Sequence, residues 1–174
     1  DQLEEPFYLD WSPDSTKLAY SKRNSIVIYN IDTYQATTLN RAGTAYVQWF
    51  PNGSELLFEA KDSAGISQIY RINIDGTNLR QITNVIALAT GSTYKIPGGP
   101  EAKNYYPTWS PDSKRIAYSS TTFRNGHYYS LIRTSGPRGE NDRTWAISEC
   151  FATPVSWSPD SRKLAYLSGC IPGG

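Results

Sequence analysis

Three aspartates stand at one fixed distance from a tryptophan: Asp14 after Trp11, Asp112 after Trp109 and Asp160 after Trp157. Recurrent carboxylates can ligate a divalent cation or act as general acid and base. The second copy of the pattern along the chain, Trp49-Phe-Pro-Asn52, has an amide in the same place. Each Asp or Asn also follows a proline, and that favours turn chemistry, in which Pro sets φ and the side chain bonds the backbone two residues on. Asn73-Ile-Asp-Gly-Thr-Asn78 faintly resembles a calcium loop but lacks the remaining ligands and the terminal Glu, so it reads as a hairpin turn. Glu140 and Asp142, beside Arg138 and Arg143, read as a solvated charged loop. His127 is the single histidine, which leaves no His-based zinc site and no Ser-His-Asp triad. The chain has no GxSxG elbow, no GxxxxGK[ST] and no GxGxxG, the signatures of common nucleophile and phosphate sites. It is expected to be no enzyme and to carry no metal and no cofactor.

The elements that hold these turns form a repeat. Trp11-Ser-Pro-Asp-Ser-Thr-Lys-Leu-Ala-Tyr20, Trp49-Phe-Pro-Asn-Gly-Ser-Glu-Leu-Leu-Phe58, Trp109-Ser-Pro-Asp-Ser-Lys-Arg-Ile-Ala-Tyr118 and Trp157-Ser-Pro-Asp-Ser-Arg-Lys-Leu-Ala-Tyr166 align without gaps. They recur at intervals of about 40 to 60 residues, near the length of a four-stranded propeller blade. A helical repeat is excluded by the proline two residues after each Trp and by the lack of helical periodicity. Each copy reads as a hairpin in which, for the first, Trp11 faces Leu18 and Leu9 faces Tyr20 across the ladder. A second hairpin completes each full unit: 25–31 with 36–39, 68–74 with 79–83 about Asp75-Gly76, and 128–133 with 144–148. The fourth unit stops after its first hairpin.

This pattern predicts an all-β chain of fourteen strands without helix. It is a β-propeller of four-stranded antiparallel blades, about three and a half blades long, forming an arc of a larger propeller. The blade units fall near 6–42, 43–84, 104–149 and 150–174. An insertion at about 85–103 carries Ile86, Leu88 and Tyr94 for docking over a blade edge. The four tryptophans are expected in equivalent, mostly buried positions, and apolar blade faces are expected at both ends of the arc.

In a propeller the starts of the innermost strands gather around the axis. Glu5, Tyr8, Tyr46, Asn104, Tyr105 and Tyr106 lie there and are the expected partner-binding rim, since tyrosines give large contact area at low entropic cost. The bland alternative is that they fill space between blades. Cys150 and Cys170 flank the open end of the fourth hairpin. With Trp157 opposite Leu164, Cys150 stands opposite residue 171, beside Cys170. A disulfide within bonding reach is expected, and it would imply an oxidising compartment; two buried free thiols are the alternative.

A formal charge of +1 gives no field for nucleic acid or acidic lipid. No run of about 18 apolar residues exists, so no membrane insertion is expected. With 13 Tyr and 5 Trp the core is built largely from rings, dense enough to offset chain entropy. The lack of methionine, even at position 1, reads as a processed or excised segment; no signal peptide is visible.

The Trp-Ser-Pro-Asp-Ser-x-x-Leu-Ala-Tyr repeat resembles that of TolB-type β-propellers. Gln68-Ile-Tyr-Arg-Ile-Asn-Ile-Asp-Gly-Thr-Asn-Leu-Arg-Gln-Ile-Thr83 is similar to the family's second hairpin. The resemblance covers nearly the whole chain apart from about 85–103. It implies a non-catalytic module that binds a protein or peptide partner, beside the remaining blades of its propeller, in the periplasm or outside the cell. The alternatives are the propeller of a prolyl-oligopeptidase-type hydrolase with its catalytic domain elsewhere, or a ligand-sensing ectodomain. A fold hosts many functions, so the choice rests on the site.

Overall fold

The computed structural model describes residues 8–22, 24–41, 45–83, 104–124, 127–149, 151–152 and 154–169. Three complete blades follow one another. The first is β1 (Leu9–Trp11), β2 (Lys17–Lys22), β3 (Ser25–Asn30) and β4 (Ala36–Asn40). The second is β5 (Ala45–Trp49), β6 (Glu55–Lys61), β7 (Ser67–Asn73) and β8 (Arg80–Gln81), and the third is β9 (Asn104–Trp109), β10 (Ile116–Arg124), β11 (His127–Ser135) and β12 (Arg143–Ser148). Each is an antiparallel sheet in sequence order, and no helix occurs among the described residues. The fourth hairpin has four short pieces where two strands were expected: β13 (Phe151–Ala152) pairs with β16 (Ser168–Gly169), and β14 (Ser156–Trp157) with β15 (Leu164–Ala165). The insertion at 85–103, Glu5 and both cysteines lie outside the described residues.

The expected turn chemistry is present in atomic detail. Ser12 Oγ donates to Asp14 Oδ1 at 2.6 Å and accepts from the Lys17 amide at 2.8 Å, while Asp14 Oδ1 accepts from the Thr16 amide at 3.0 Å. Ser110 with Asp112, and Ser158 with Asp160, repeat the arrangement. Asn52 serves the second copy by accepting from the Ser54 amide at 2.9 Å. The next residue takes left-handed backbone each time: Ser15 (φ 59), Gly53 (φ 72), Ser113 (φ 61) and Ser161 (φ 60). The recurrent aspartates are therefore structural. Trp11 faces Leu18 and Leu9 faces Tyr20, as the hairpin pattern required.

Blades stack face to face, so a central strand is buried on both sides and reads as an unbroken apolar run. In β6, Leu56 and Phe58 pack toward the first blade with Ala19, Ile26, Ile28 and Leu39, whereas Leu57 joins Ile69, Ile82, Trp109, Ile116 and Tyr118 toward the third. Ala117, Ile132 and Val155 form the next interface, with Trp157 and Leu164 against it.

One side-chain device ties neighbouring blades. The Trp49 amide donates to Asp10 Oδ2 at 2.7 Å, and its indole Nε1 donates to the Asp10 carbonyl at 3.2 Å. One blade on, the Trp109 amide donates to Gln48 Oε1 at 2.9 Å; further on, Trp157 Nε1 reaches the Thr108 carbonyl at 3.4 Å. Asp10, Gln48 and Thr108 each precede a repeat tryptophan, so the residue before one Trp receives the Trp of the next blade. Further out, Arg71 donates to Glu55 and to the Pro137 carbonyl. At Gly139 (φ +87) a Cβ would collide with the Ile82 carbonyl oxygen, so only glycine fits this approach of the third blade to the second. Asp142, expected in a solvated loop, instead accepts from the Tyr118 hydroxyl at 2.6 Å and pairs with Arg133.

The tryptophans occupy equivalent positions but not equivalent surroundings. Trp49 is 4% and Trp109 6% exposed, whereas Trp11 is 51% exposed. The expectation that all four are mostly buried is corrected, and the blade-to-blade device supplies the reason. A repeat Trp is covered by the blade before it, and the described residues place none before Trp11. Trp157 is half-buried, under the Arg115 guanidinium at 4.6 Å.

Candidate functional site

Tyr8, Tyr46 and Tyr106 each stand three residues before a repeat tryptophan, so the blade geometry delivers them to equivalent places on successive inner strands. Their rings meet. The Tyr8 and Tyr46 centroids are 4.1 Å apart at an interplanar angle of 42°, and those of Tyr46 and Tyr106 are 5.1 Å apart at 63°. Tyr8 is exposed, and Tyr46 and Tyr106 are half-buried.

The backbone beneath two of them is unusual. Val47 pairs with Phe58, but Ala45 pairs with Glu59, which leaves Tyr46 as an extra residue. Thr108 pairs with Ala117 and Tyr105 with Ser119, so Tyr106 and Pro107 stand against Tyr118 alone. Each is a β-bulge, and bulges re-aim a side chain out of the ladder. Tyr46 has φ 50 and Tyr106 φ 56, a region that is an outlier for bulky residues. Pro107, which lacks an amide to donate, is tolerated at the bulge.

Burial pushes the Tyr46 hydroxyl's pKa above the ordinary phenol value, with smaller contributions from Tyr8, Tyr106 and Glu59. Tyr106 is raised in the same way, first by burial, then by Tyr8, Tyr105 and Glu59. The Tyr46 and Tyr106 hydroxyls are therefore neutral phenols at physiological pH.

Tyr105 and Asn104 sit differently from the expectation that both face a partner. Tyr105 is 7% exposed, its ring edge-on to Tyr106 at 4.8 Å and its hydroxyl in a hydrogen bond with Ser130. Asn104 is buried and donates from Nδ2 to Gln68 Oε1 at 2.9 Å. Gln68 Oε1 also accepts from the Thr83 hydroxyl at 2.8 Å, and Gln68 Nε2 donates to Asp62 Oδ2 at 3.1 Å. Asn104 thus belongs to a polar network between the second and third blades. Asp62 and Thr83 from that network, with Ser63, Gln81 and Ile82, line an open cavity of about 390 Å³. Glu5 lies outside the described residues.

Sequence reasoning missed Glu59. The available signal was a carboxylate in the apolar run Leu56-Leu-Phe-Glu-Ala60 of an inner hairpin.

No protein-family model and no curated protein matches the chain. Solved structures do. A TolB from Agrobacterium tumefaciens superposes with a TM-score of 0.68 at 19% identity, over 97% of this chain and 61% of that one. TolB from Acinetobacter baumannii gives 0.69 at 20% identity, over 97% of this chain and 39% of the other. The β-propeller domain of the Trilobed protease from Pyrococcus furiosus, described as having an open velcro topology, gives 0.61 at 16%, over 98% and 52%. This chain therefore spans between 39% and 61% of their lengths. The likeness establishes the fold: an arc of a β-propeller, similar to those of the TolB structures. No helix among the described residues is long and apolar enough to cross a membrane.

Proposed function

We propose that this arc is a non-catalytic binding module that engages a protein or peptide partner through Tyr8, Tyr46 and Tyr106, in the bacterial envelope or outside the cell. The observation that carries the reading is the left-handed backbone of Tyr46 and Tyr106 on equivalent bulges. Each such residue costs about 1–3 kcal/mol and persists where the surroundings over-determine it, a pattern that concentrates at functional sites. Aromatic rings fixed in this way are the usual anchors of an interface. The fold shared with the TolB structures supports a binding propeller, and the sequence lacks a nucleophile elbow. A Cys150–Cys170 disulfide belongs to the same reading, because such bonds persist in oxidising compartments. The face around Trp11, open among the described residues, suits the seat of a further blade of the propeller. A second reading, an arc that screens access to a peptidase domain, draws on the likeness to the Pyrococcus furiosus protease propeller.

Peptides selected from a displayed random library on the purified protein provide the test. Tyr8→Ser and Tyr106→Ser should each weaken a selected peptide about tenfold or more while the melting temperature holds. Serine suits position 106 because Ser15, Ser113 and Ser161 already adopt this backbone. Unchanged affinity in both variants rejects the rim as the site. Unaided hydrolysis of peptides by the protein rejects the non-catalytic reading.

A further inference from the structure

We infer that the cavity between the β6–β7 turn and the end of β8 is a second site, and that it takes a small neutral carbohydrate. The site is independent of the tyrosine rim. It is bordered by Asp62, Ser63, Gln81, Ile82 and Thr83 and has a volume of about 390 Å³, within the range of small-molecule sites.

Its polar walls are fixed in advance by their own hydrogen bonds. Asp62 Oδ1 accepts from the Ala64 amide at 2.9 Å and the Ile66 amide at 3.0 Å, and Oδ2 accepts from Gln68 Nε2 at 3.1 Å. Gln81 Oε1 accepts from the Tyr70 hydroxyl at 3.1 Å, and Gln81 Nε2 donates to the Thr83 carbonyl at 2.7 Å. The Thr83 hydroxyl accepts from the Ile69 amide and donates to Gln68 Oε1. An ionised carboxylate only accepts, so Asp62 sets which end of the Gln68 amide faces which neighbour. Gln68 Oε1 is thereby turned to Asn104 and takes its Nδ2, which leaves Asn104 Oδ1 over. Asn104 is 2% exposed, and this oxygen has no donor among the described residues. A buried acceptor without a donor is costly, so the network that runs in from the cavity wall ends on a place for a donating group.

The class of ligand follows from what the walls leave unmatched. Asp62 is in no ion pair among the described residues, so an anion is repelled. Both of its oxygens already accept from neutral donors, which lessens its demand for a cation. An ammonium group can only donate, whereas Gln81 Nε2 spends one of its two hydrogens on Thr83 and offers the other. A sugar hydroxyl donates and accepts, and so answers Asp62, Asn104 Oδ1, Ser63 and Gln81 alike. Ile82 gives an apolar wall for the C–H face of a sugar ring.

The methyl glycosides of glucose, galactose, mannose and N-acetylglucosamine are titrated into the protein, with ethylammonium and acetate as charged probes. The side-chain amide signals of Gln68, Gln81 and Asn104 are followed by NMR. At least one glycoside should shift them saturably, at concentrations about tenfold below those the charged probes require, while the Tyr8 and Tyr106 ring signals stay in place. Salt between about 50 and about 500 mM should leave that binding unchanged, because a neutral ligand is not screened. Ser63→Ala and Gln81→Ala, both at exposed positions, should each weaken the glycoside about fivefold or more while the melting temperature holds. Asn104→Leu removes the unmatched oxygen and should abolish the shift at Gln68; if that variant fails to fold, the two surface variants decide. Ethylammonium acting at lower concentration than every glycoside overturns the carbohydrate assignment. Unchanged affinity in both surface variants, or silence of the three amides toward every probe, overturns the site.

Discussion

Phe151 pairs with Gly169, not with Cys170. An unbroken ladder running out from Trp157↔Leu164 would have set Phe151 opposite Cys170. Between Ser156↔Ala165 and Ala152↔Ser168 the chain spends one extra residue on the first strand. The same step occurs at Tyr46 in the second blade and at Tyr106 in the third, so three of the four repeats share it.

The shifted register has a consequence for the cysteines. A register continued one step beyond Phe151↔Gly169 predicts Cys150 opposite Cys170, where a constant register from Trp157↔Leu164 predicts an offset of one. Directly opposed antiparallel residues have Cα atoms about 4.5–5.5 Å apart, inside the range a disulfide needs. The expected result is that the protein purified under oxidising conditions resists alkylation until reduced, and that reduction lowers stability by about 3 kcal/mol for a loop of this size. Ready alkylation of both thiols without reductant would remove the disulfide and the compartment argument that depends on it.

Strain at the rim can be measured by a reversal of the usual order of substitutions. Inside a strand, Gly is less stable than Ala by about 0.5–1 kcal/mol. At φ 50 and φ 56 the order should invert, with Tyr46→Gly and Tyr106→Gly more stable than Tyr46→Ala and Tyr106→Ala by about 1 kcal/mol. Urea unfolding of the four variants, with Val47→Gly and Val47→Ala as the regular-strand control, reads this out. Alanine equal to or better than glycine at both tyrosines would mean that the backbone stores no strain there.

Acid should unfold the protein partly through its turns. The Asp14 carboxyl is held well below the usual carboxylate range, chiefly by the Ser12 hydroxyl and then by the Thr16 amide. Asp112 is lowered first by Ser110 and Asp160 first by Ser158. A pKa depressed by folding gives stability that is present above the unfolded value, about 4, and is lost as pH falls through the folded value. Asp10 opposes this, because burial raises its pKa in spite of the Trp49 amide, so its protonation favours the fold. The net expectation is a fall in stability below about pH 4. Asp14→Asn/Asp112→Asn/Asp160→Asn should flatten that fall, since Asn52 shows an amide making the same turn. An equally steep acid transition in the triple variant would place the sensitive groups elsewhere.

The parts of the fold legible in the sequence are those decided locally. Trp, Pro and Asp mark a turn within a few residues, and the turn sets the register, so Trp11↔Leu18 and the three complete blades follow without knowledge of neighbours. Exposure is decided by packing that the local pattern does not carry: Trp11 has no blade before it among the described residues, Asn104 is bonded to Gln68 of the second blade, and the Tyr105 hydroxyl is bonded to Ser130 of its own blade. The bulges were invisible at Tyr46, where no glycine betrays the left-handed backbone. At Tyr106 the following Pro107, inside a strand, was the available hint.

The two ends of the blade-to-blade device make the last prediction quantitative. Trp49 is closed over by the first blade, with its amide on the Asp10 carboxylate and its indole on the Asp10 carbonyl. Trp11 has the same place in its own hairpin but is 51% exposed. Truncation of a buried Trp costs about 3–5 kcal/mol, whereas a change at an exposed position stays near 0.5 kcal/mol. Trp49→Ala should therefore destabilise this chain several-fold more, in free energy, than Trp11→Ala. In a longer protein that supplies a blade before residue 8, Trp11 should become buried as Trp49 is. Its fluorescence should then shift to the blue, and Trp11→Ala should become as costly as Trp49→Ala. The residue before the repeat Trp of that added blade should be a hydrogen-bond acceptor, in the role of Asp10, Gln48 and Thr108. Equal costs for Trp11→Ala and Trp49→Ala in the present chain would sink the argument, because they would show that the preceding blade is not what buries the ring.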